Sequence, residues 1–190
     1  MPNAPALFHI YRTLLVTGHK RVAGGWVYED EFYPDYLTVG GNTFAIRRTA
    51  LKYCKGAGID IGASYWPLPG SLPIDTETGP GIANKIEDVP ANSQDFVFSS
   101  HCLEHINDWN NALDVWVSKL KMGGVIFLYL SHPSCKFWHF SNPFMAGIHA
   151  WAPTPEIIRE ELTKKGLKYV DCDDGPDHFY SFYVCARRSI

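Results

Sequence analysis

The residues best suited to bind a ligand lie in one short segment, Gly58–Ser64, and in an acid fifteen positions after Asp60. The segment is a short apolar stretch that ends at Gly62. A glycine at the end of a strand lets a ligand approach the backbone, and Asp75, at the end of the next strand, could accept hydrogen bonds from both hydroxyls of a ribose. The pattern indicates a nucleoside-containing cofactor, although a turn glycine and a loop-capping aspartate would also explain it.

A second segment, His101–His105, reads His-Cys-Leu-Glu-His. It matches the H-x-x-E-H pattern of the inverted zinc-protease motif, in which two histidines on one side of a helix bind zinc and the glutamate acts as a base. A zinc hydrolase that uses His101, Glu104 and His105 is therefore one hypothesis. The segment directly follows an apolar strand, however, so a role at the edge of a sheet is the main alternative.

Composition describes an ordinary globular chain. It has 190 residues, of which 46% are hydrophobic and 19% are charged, with a formal net charge of −3. This length predicts one domain, residues 1–190, that can bury a core without disulfides or metals. The near-neutral charge and the lack of a basic cluster argue against a nucleic-acid partner.

The five cysteines and the apolar runs bear on location. The cysteines are odd in number, scattered and never in a Cys-x-x-Cys pair, which is typical of reduced thiols. No charged-then-apolar leader is visible, and the longest apolar run, Val125–Leu130, is far shorter than the roughly 20 residues of a membrane helix. We therefore expect a cytoplasmic protein with no membrane partner.

The elements that would position these residues begin at residue 42. Strands are predicted at Gly58–Gly62, Leu72–Ile74, Ile82–Ile86, Asp95–Ser99, Val125–Ser131, Leu167–Cys172 and Phe179–Ala186. Helices are predicted after Asn42, over Asn107–Lys121 and from Thr154 to the turn at Gly166. Residues 1–41 have no sustained period and are expected to form an irregular N-terminal cap on a cofactor-binding core, residues 42–190.

The order of these elements predicts an α/β fold. Strands that alternate with helices favour a Rossmann-like, doubly wound, mostly parallel sheet, and the last two strands favour an antiparallel C-terminal edge strand. The proline-rich stretch between the second and third strands leaves no room for a helix there. The aromatic residues of the loop at 137–151 could pack in the core or form a wall of a substrate pocket.

Several ordered motifs share one resemblance. They are Gly58–Ser64, Leu72–Asp75, Glu87–Pro90, Asn92–Ser100, His101–Ile106, Leu120–Gly124 and Thr154–Glu156, followed by Lys165–Leu167. Over residues 57–187 the chain resembles the class I S-adenosylmethionine-dependent methyltransferases. The resemblance implies methyl transfer from S-adenosylmethionine, with S-adenosylhomocysteine as the product. The weakly acidic net charge and a pocket covered by loops favour a small-molecule acceptor, with a sugar or a protein side chain as the alternatives.

The resemblance also implies a set of cofactor-binding residues. These are Asp60, Gly62, Ala63, Ser64, Asp75, Ile86, Glu87, Ser100 and His101. Within this set, Gly62 and Ala63 would line the methionine part and Asp75 would hold the ribose. Ile86 and Glu87, at the end of the third strand, would flank the adenine.

The resemblance leaves two questions open. Ser64 and Trp66 stand where the family usually has further glycines, so a protein that binds S-adenosylmethionine or S-adenosylhomocysteine without turnover is the alternative. If the acceptor must lose a proton, a base is needed, and His101, His105, His132 and His149 are the candidates because an imidazole titrates near neutral pH.

Overall fold

A computed structural model describes residues 4–38, 42–75, 84–145 and 148–189. The α-helices are α1 (Ala4–Val16), α2 (Thr43–Tyr53), α3 (Trp109–Lys119) and α4 (Pro155–Lys164). The strands are β1 (Lys20–Val22), β2 (Gly25–Tyr28), β3 (Glu31–Pro34), β4 (Gly58–Ile61), β5 (Ser71–Ile74), β6 (Gln94–Ser100), β7 (Leu120–Ser131), β8 (Leu167–Asp173) and β9 (Ser181–Arg188). Among these residues, no helix combines the length and the apolar character needed to cross a bilayer.

The main sheet confirms the predicted fold class. Its six strands lie in the order β5-β4-β6-β7-β9-β8, and the first four are parallel. Strand β9 is antiparallel to both of its neighbours, and β8 takes the edge, so the C-terminal pair forms the antiparallel side. The central strands are buried on both faces, as in parallel sheets that helices cover on both sides.

Helices cover the two faces of this sheet for reasons visible in their sequences. Helix α2 buries Ile46 and Ala50 against one face. Helices α3 and α4 pack on the other face, where Leu113 and Ile158 are fully buried. Local caps fix where α3 and α4 begin: Thr154 Oγ1 accepts from the backbone N–H of Ile157, as predicted for this helix start.

The predicted strand at Ile82–Ile86 is wrong for the part that the structure describes. Residues 82 and 83 lie outside the described residues, and Ile86–Asp88 form a short 3-10 helix. Proline cannot donate to a ladder, so Pro73 makes β5 a poor template for a further strand. Asn84 instead reaches β5 through its side chain, whose Nδ2 donates to the Pro73 carbonyl at 3.1 Å. The stretch in which no helix was predicted, between Ile74 and Ile82, lies mostly outside the described residues.

The prediction of an irregular N-terminal cap is also wrong. After α1, strands β1, β2 and β3 form an antiparallel sheet of their own, with turns in which Gly24, Glu29 and Asp30 adopt positive φ. Three- and four-residue strands are too short to show a period in the sequence. Their order comes from tertiary packing, since Trp26 and Tyr33 share a core with residues of the loop after β7.

Asp60 is an acid buried in the middle of β4. Its residue is 1% exposed, and its Oδ2 accepts a hydrogen bond from the backbone N–H of Leu68 at 2.7 Å. Burial raises the pKa of Asp60 to about 7, partly offset by this hydrogen bond. The side chain therefore holds the loop that follows β4. It lies on the face of the sheet opposite Ile59 and Ile61.

Gly62, the residue after β4, is packed too tightly for any side chain. Its φ is +78°, and a Cβ built on it would lie 2.5 Å from the Cβ of Cys102 and 2.6 Å from its Sγ. The space beside this glycine is therefore filled by Cys102, the second residue after β6. The lack of a side chain at Gly62 allows the ends of β4 and β6 to pack together. The sequence analysis had instead assigned this glycine the role of letting a ligand approach the backbone.

We predict that Asp60→Asn removes a pH dependence of stability. Because the folded pKa of Asp60 is raised, its contribution is complete below about pH 4 and is lost as the pH rises toward 7. The free energy of unfolding of the unaltered protein should fall relative to the variant by up to about 4 kcal/mol across that range. Urea unfolding of both proteins between pH 4 and 8 measures this; parallel curves would contradict it.

We predict that Gly62→Ala destabilises the fold more than Gly70→Ala. Both glycines have positive φ, but nothing lies within 4 Å of a Cβ at Gly70. The control thus carries only the backbone strain, about 1–2 kcal/mol, and the overlap with Cys102 should add about 1–3 kcal/mol at Gly62. Denaturant unfolding gives both values, and equal losses would show that the contact with Cys102 is unimportant.

Candidate functional site

Four parallel strands end at one edge of the main sheet. The carboxyl ends of β4, β5, β6 and β7 bring Gly62, Asp75, Ser100 and Ser131 to this edge. In open α/β sheets, ligands bind beyond these ends. Two of the predicted ligand-binding segments, the turn after β4 and the residues after β6, therefore lie on neighbouring strands.

The turn after β4 is tied to the end of β5. The backbone N–H groups of Gly62 and Ala63 donate to the carbonyl of Ile74, at 2.9 and 3.4 Å. The backbone N–H of Ser64 donates to Oδ2 of Asp75 at 2.9 Å, with Ser64 at a φ of +44°. The structure thus brings together the glycine turn and the acid that the sequence analysis paired.

The end of β6 carries an unsatisfied polar group. Ser99 Oγ donates to the Ile61 carbonyl at 2.8 Å and joins β6 to β4. Ser100 Oγ is buried and has no hydrogen-bond partner within the described part of the chain. Buried hydroxyls nearly always have a partner, so this one indicates a place where a polar ligand completes the site.

Beside this turn, the Cys102 thiol is a packing group. Burial raises the pKa of Cys102 to about 12, so the thiol stays protonated and is a poor nucleophile.

His101 follows β6 in a constrained position. Its φ is +49°, and its backbone N–H donates to the Tyr129 carbonyl at 2.8 Å. Its Nε2 lies 2.9 Å from Ser181 Oγ, and its Nδ1 lies 3.3 Å from Glu104 Oε1. Burial lowers the pKa of His101 to about 3, so the ring is neutral and both of its nitrogens face protein groups.

Glu104 is a fully buried acid beside His101. Its Oε1 accepts from the backbone N–H of Ser131 at 3.2 Å, and its Oε2 has no partner among the described residues. Burial raises the pKa of Glu104. The contact with Ser131 links the segment after β6 to the end of β7.

His105 and His149 lie against each other with ring centroids 4.6 Å apart. His105 Nδ1 donates to the Ile148 carbonyl at 3.0 Å. Burial, together with the nearby His105, lowers the pKa of His149 to about 4. Of the four candidate bases, His132 and His149 line a cleft.

The segment proposed for zinc has a different shape from the motif. Leu103–His105 form a single 3-10 turn, whereas the motif places its histidines on a helix. Within the described ranges, no group of three His, Cys, Asp or Glu side chains could hold a metal ion. The positions of His101, Glu104 and His105 at the sheet edge agree with the alternative that the sequence left open.

The loop after β7 contributes to both the core and the wall of a cleft. Phe137 is fully buried in the N-terminal core. Trp138 and Trp151 line the cleft together with the histidines. The Trp151 ring is fixed, because its Nε1 donates to the Leu103 carbonyl at 3.0 Å and the ring stacks on Trp109 at 4.3 Å.

The residues predicted to contact the adenine lie on the 3-10 helix between β5 and β6. Ile86 packs against the core beneath α3, and Glu87 is exposed on the 3-10 helix. Sequence reasoning missed Ser181, which begins β9 eighty residues after its partner His101. No local motif marks that serine, since only the pairing of β9 with β7 brings it to His101.

Comparisons with known proteins agree with this geometry. Residues 72–128 match the sequence model of a family described as a methyltransferase domain. No curated protein sequence matches the chain.

Solved structures share the fold. An S-adenosylmethionine-dependent methyltransferase from Archaeoglobus fulgidus is 16% identical, with a TM-score of 0.58 over 81% of this chain and 100% of that chain. The 1,6-didemethyltoxoflavin-N1-methyltransferase of Burkholderia thailandensis is 14% identical, with a TM-score of 0.61 over 100% of this chain and 92% of its own. That structure contains 1,6-didemethyltoxoflavin and S-adenosylhomocysteine.

The family match spans the segment from β5 into β7, which includes Asp75, Ser100 and His101. These residues lie at the ends of β5 and β6, at the carboxyl edge of the parallel strands. Residues 72–128 thus match a methyltransferase domain, and the chain shares its fold with S-adenosylmethionine-dependent methyltransferases.

Proposed function

We propose that this protein transfers a methyl group from S-adenosylmethionine to a small-molecule acceptor that binds in the cleft beside His149. One observation carries the proposal. The turn at Gly62–Ser64, the Asp75 carboxylate and the unpartnered Ser100 hydroxyl lie at adjoining strand ends. A carboxylate and a hydroxyl at neighbouring strand ends suit the ribose and the amino-acid part of this cofactor.

Each of these residues would contact a different part of the cofactor. Asp75 would hold the ribose hydroxyls, and Gly62, Ala63 and Ser64 would run along the methionine part. Ser100 and His101 would lie beneath the sulfonium. His101 is neutral there, so it places no second positive charge beside the sulfonium.

Asp60 and the adenine residues have different roles in this proposal. Asp60 supports the site without contacting the cofactor. Its carboxylate accepts a hydrogen bond from Leu68 and so fixes the loop that contains the turn. Ile86 and Glu87 remain the proposed neighbours of the adenine, on a 3-10 helix instead of a strand end.

When bound, S-adenosylmethionine supplies a methyl group on a positive sulfonium; its carbon–sulfur bond breaks as the acceptor's lone pair forms the new bond. The protein's part is to align the acceptor and to exclude water. Trp138 and Trp151 provide the dry walls for this. For an acceptor that must lose a proton, we favour His149 as the base, since it lines the cleft and its neutral ring can accept a proton. Its pKa of about 4 makes it a weak base.

A small-molecule acceptor is supported by a solved structure of the same fold, the 1,6-didemethyltoxoflavin-N1-methyltransferase of Burkholderia thailandensis, which contains 1,6-didemethyltoxoflavin.

We predict that Asp75→Ala weakens binding of S-adenosylhomocysteine by about 10- to 100-fold, because hydrogen bonds to a charged group contribute about 1.5–3 kcal/mol. Isothermal titration of the purified protein measures it. Asp114→Ala, on the exposed side of α3, is the matched control and should bind as the unaltered protein does. Unchanged affinity in Asp75→Ala, with the fold retained, would contradict the proposed site.

The alternative of binding without turnover needs a separate measurement. Its basis is Ser64 and Trp66, the two residues that replace glycines of the family pattern. We expect S-adenosylhomocysteine to form when the protein is incubated with S-adenosylmethionine and a mixture of small heteroaromatic N–H and O–H compounds. Tight cofactor binding without product from any acceptor pool would favour the alternative, and zinc in the purified protein would revive the hydrolase.

A further inference from the structure

His19 is a buried histidine where three segments of the protein meet: the end of α1, the N-terminal sheet and the loop after β7. It follows α1 and is 2% exposed. Its ring stacks on Tyr28 of β2, with the ring centroids 4.3 Å apart. Phe137 and Phe144, from the loop after β7, contact it with centroid distances of 5.3 and 6.0 Å. His19 thus lies at the contact between the N-terminal sheet and this loop.

Backbone groups fix the orientation of the Asn142 amide beside His19. The backbone N–H of Phe144 donates to Asn142 Oδ1 at 2.8 Å, and Asn142 Nδ2 donates to the Lys136 carbonyl at 3.0 Å. A flipped amide would place its NH2 group against an N–H and its oxygen against a carbonyl. The second N–H of the amide therefore donates to His19 Nε2, which lies 3.2 Å from Nδ2.

These contacts assign the proton of the His19 ring. A nitrogen that accepts a hydrogen bond carries no proton, so Nε2 is unprotonated and the neutral ring carries its proton on Nδ1. The Nδ1–H donates to Thr17 Oγ1 at 3.1 Å, and the Thr17 hydroxyl donates to the Thr13 carbonyl at 2.8 Å. Each donor in this chain has an acceptor as long as His19 is neutral.

A second proton on His19 would break this chain. It would add an N–H at Nε2 that faces the NH2 group of Asn142, and neither group could accept from the other. Burial also disfavours a charged ring and lowers the pKa of His19, partly offset by the Leu14 carbonyl. The stabilising contribution of neutral His19 is therefore complete above about pH 6.5 and is lost as the pH falls below that value.

The elements around His19 supply no charge that would compensate a protonated ring. Their titratable side chains are those of Tyr28, Glu29, Glu31, Lys136 and His139. Lys136 Nζ lies 3.0 Å from Glu31 and 3.7 Å from Glu29, so these charged groups pair with one another. Burial raises the pKa of the Tyr28 hydroxyl, which stays neutral. Within the described ranges of the chain, no carboxylate forms an ion pair with His19.

We propose that His19 and Asn142 form a pH-sensitive latch: neutral His19 holds β1–β3 against the loop after β7, and protonation of His19 releases them. The latch concerns the attachment of the N-terminal sheet, so it needs neither a cofactor nor a methyl acceptor. Trp138, in the same loop, contacts His101 with ring centroids 4.8 Å apart. Opening of the latch therefore also loosens the packing beside the end of β6.

Hydrogen exchange at about pH 5 and about pH 7.5 tests the latch, with rates corrected for the intrinsic effect of pH on exchange. The backbone N–H groups of β1–β3 report on the latch, and those of β6 and β7 are the internal reference. We expect the protection of β1–β3 to fall by about tenfold or more at the lower pH, relative to the reference. The reason is that a buried donor without an acceptor is costly and local opening removes that cost.

Three variants separate the titration of His19 from a general effect of acid. His19→Gln offers Asn142 an oxygen acceptor that takes up no proton at these pH values, so the protection of β1–β3 should no longer depend on pH. Asn142→Asp places a carboxylate beside Nε2, which pairs with a charged His19, so protection should be retained at the lower pH. His178→Gln, at an exposed histidine, is the control and should behave as the unaltered protein does.

The tautomer of His19 gives a test that needs no variant. Nitrogen-15 NMR of the imidazole rings at neutral pH should show the proton of His19 on Nδ1. The latch is overturned if that proton is on Nε2, if β1–β3 lose no protection at the lower pH, or if His19→Gln loses as much as the unaltered protein. If His19→Gln does not fold, Asn142→Asp decides: retained protection supports the latch, and a loss equal to that of the unaltered protein overturns it.

Discussion

The contact between Gly62 and Cys102 is the constraint on which the site depends. It lies where β4 and β6 end, and a Cβ on the glycine would overlap the cysteine. Because the two strands meet this closely, the turn after β4 stays within hydrogen-bond reach of the Ile74 carbonyl and of Asp75. A bulkier residue would force these strand ends apart and separate the acid from the turn.

Two buried acids support this arrangement from different sides. Asp60, in β4, holds the loop that follows this strand. Glu104 joins the segment after β6 to Ser131 at the end of β7. Burying a carboxyl group costs stability unless it is protonated or hydrogen-bonded, and burial raises the pKa of both. Burial therefore disfavours the charged form of both acids.

The N-terminal segment completes the acceptor side. Its small sheet shares a core with the loop after β7, so that Trp26 and Tyr33 pack with Phe137 and Trp138. Trp138 in turn contacts His101, with ring centroids 4.8 Å apart. The wall of the cleft is thus fixed by residues from distant parts of the chain.

The sequence by itself determined the parallel core and the pairing of Gly62 with Asp75, because buried strands, capped helices and turn glycines leave local patterns. It did not predict the N-terminal sheet, whose strands are too short for a period and depend on packing against the loop after β7. It also missed the contact of His101 with Ser181 and that of His19 with Asn142. Only the tertiary structure decided these, since they depend on strand order and on hydrogen bonds between distant side chains that no local pattern records.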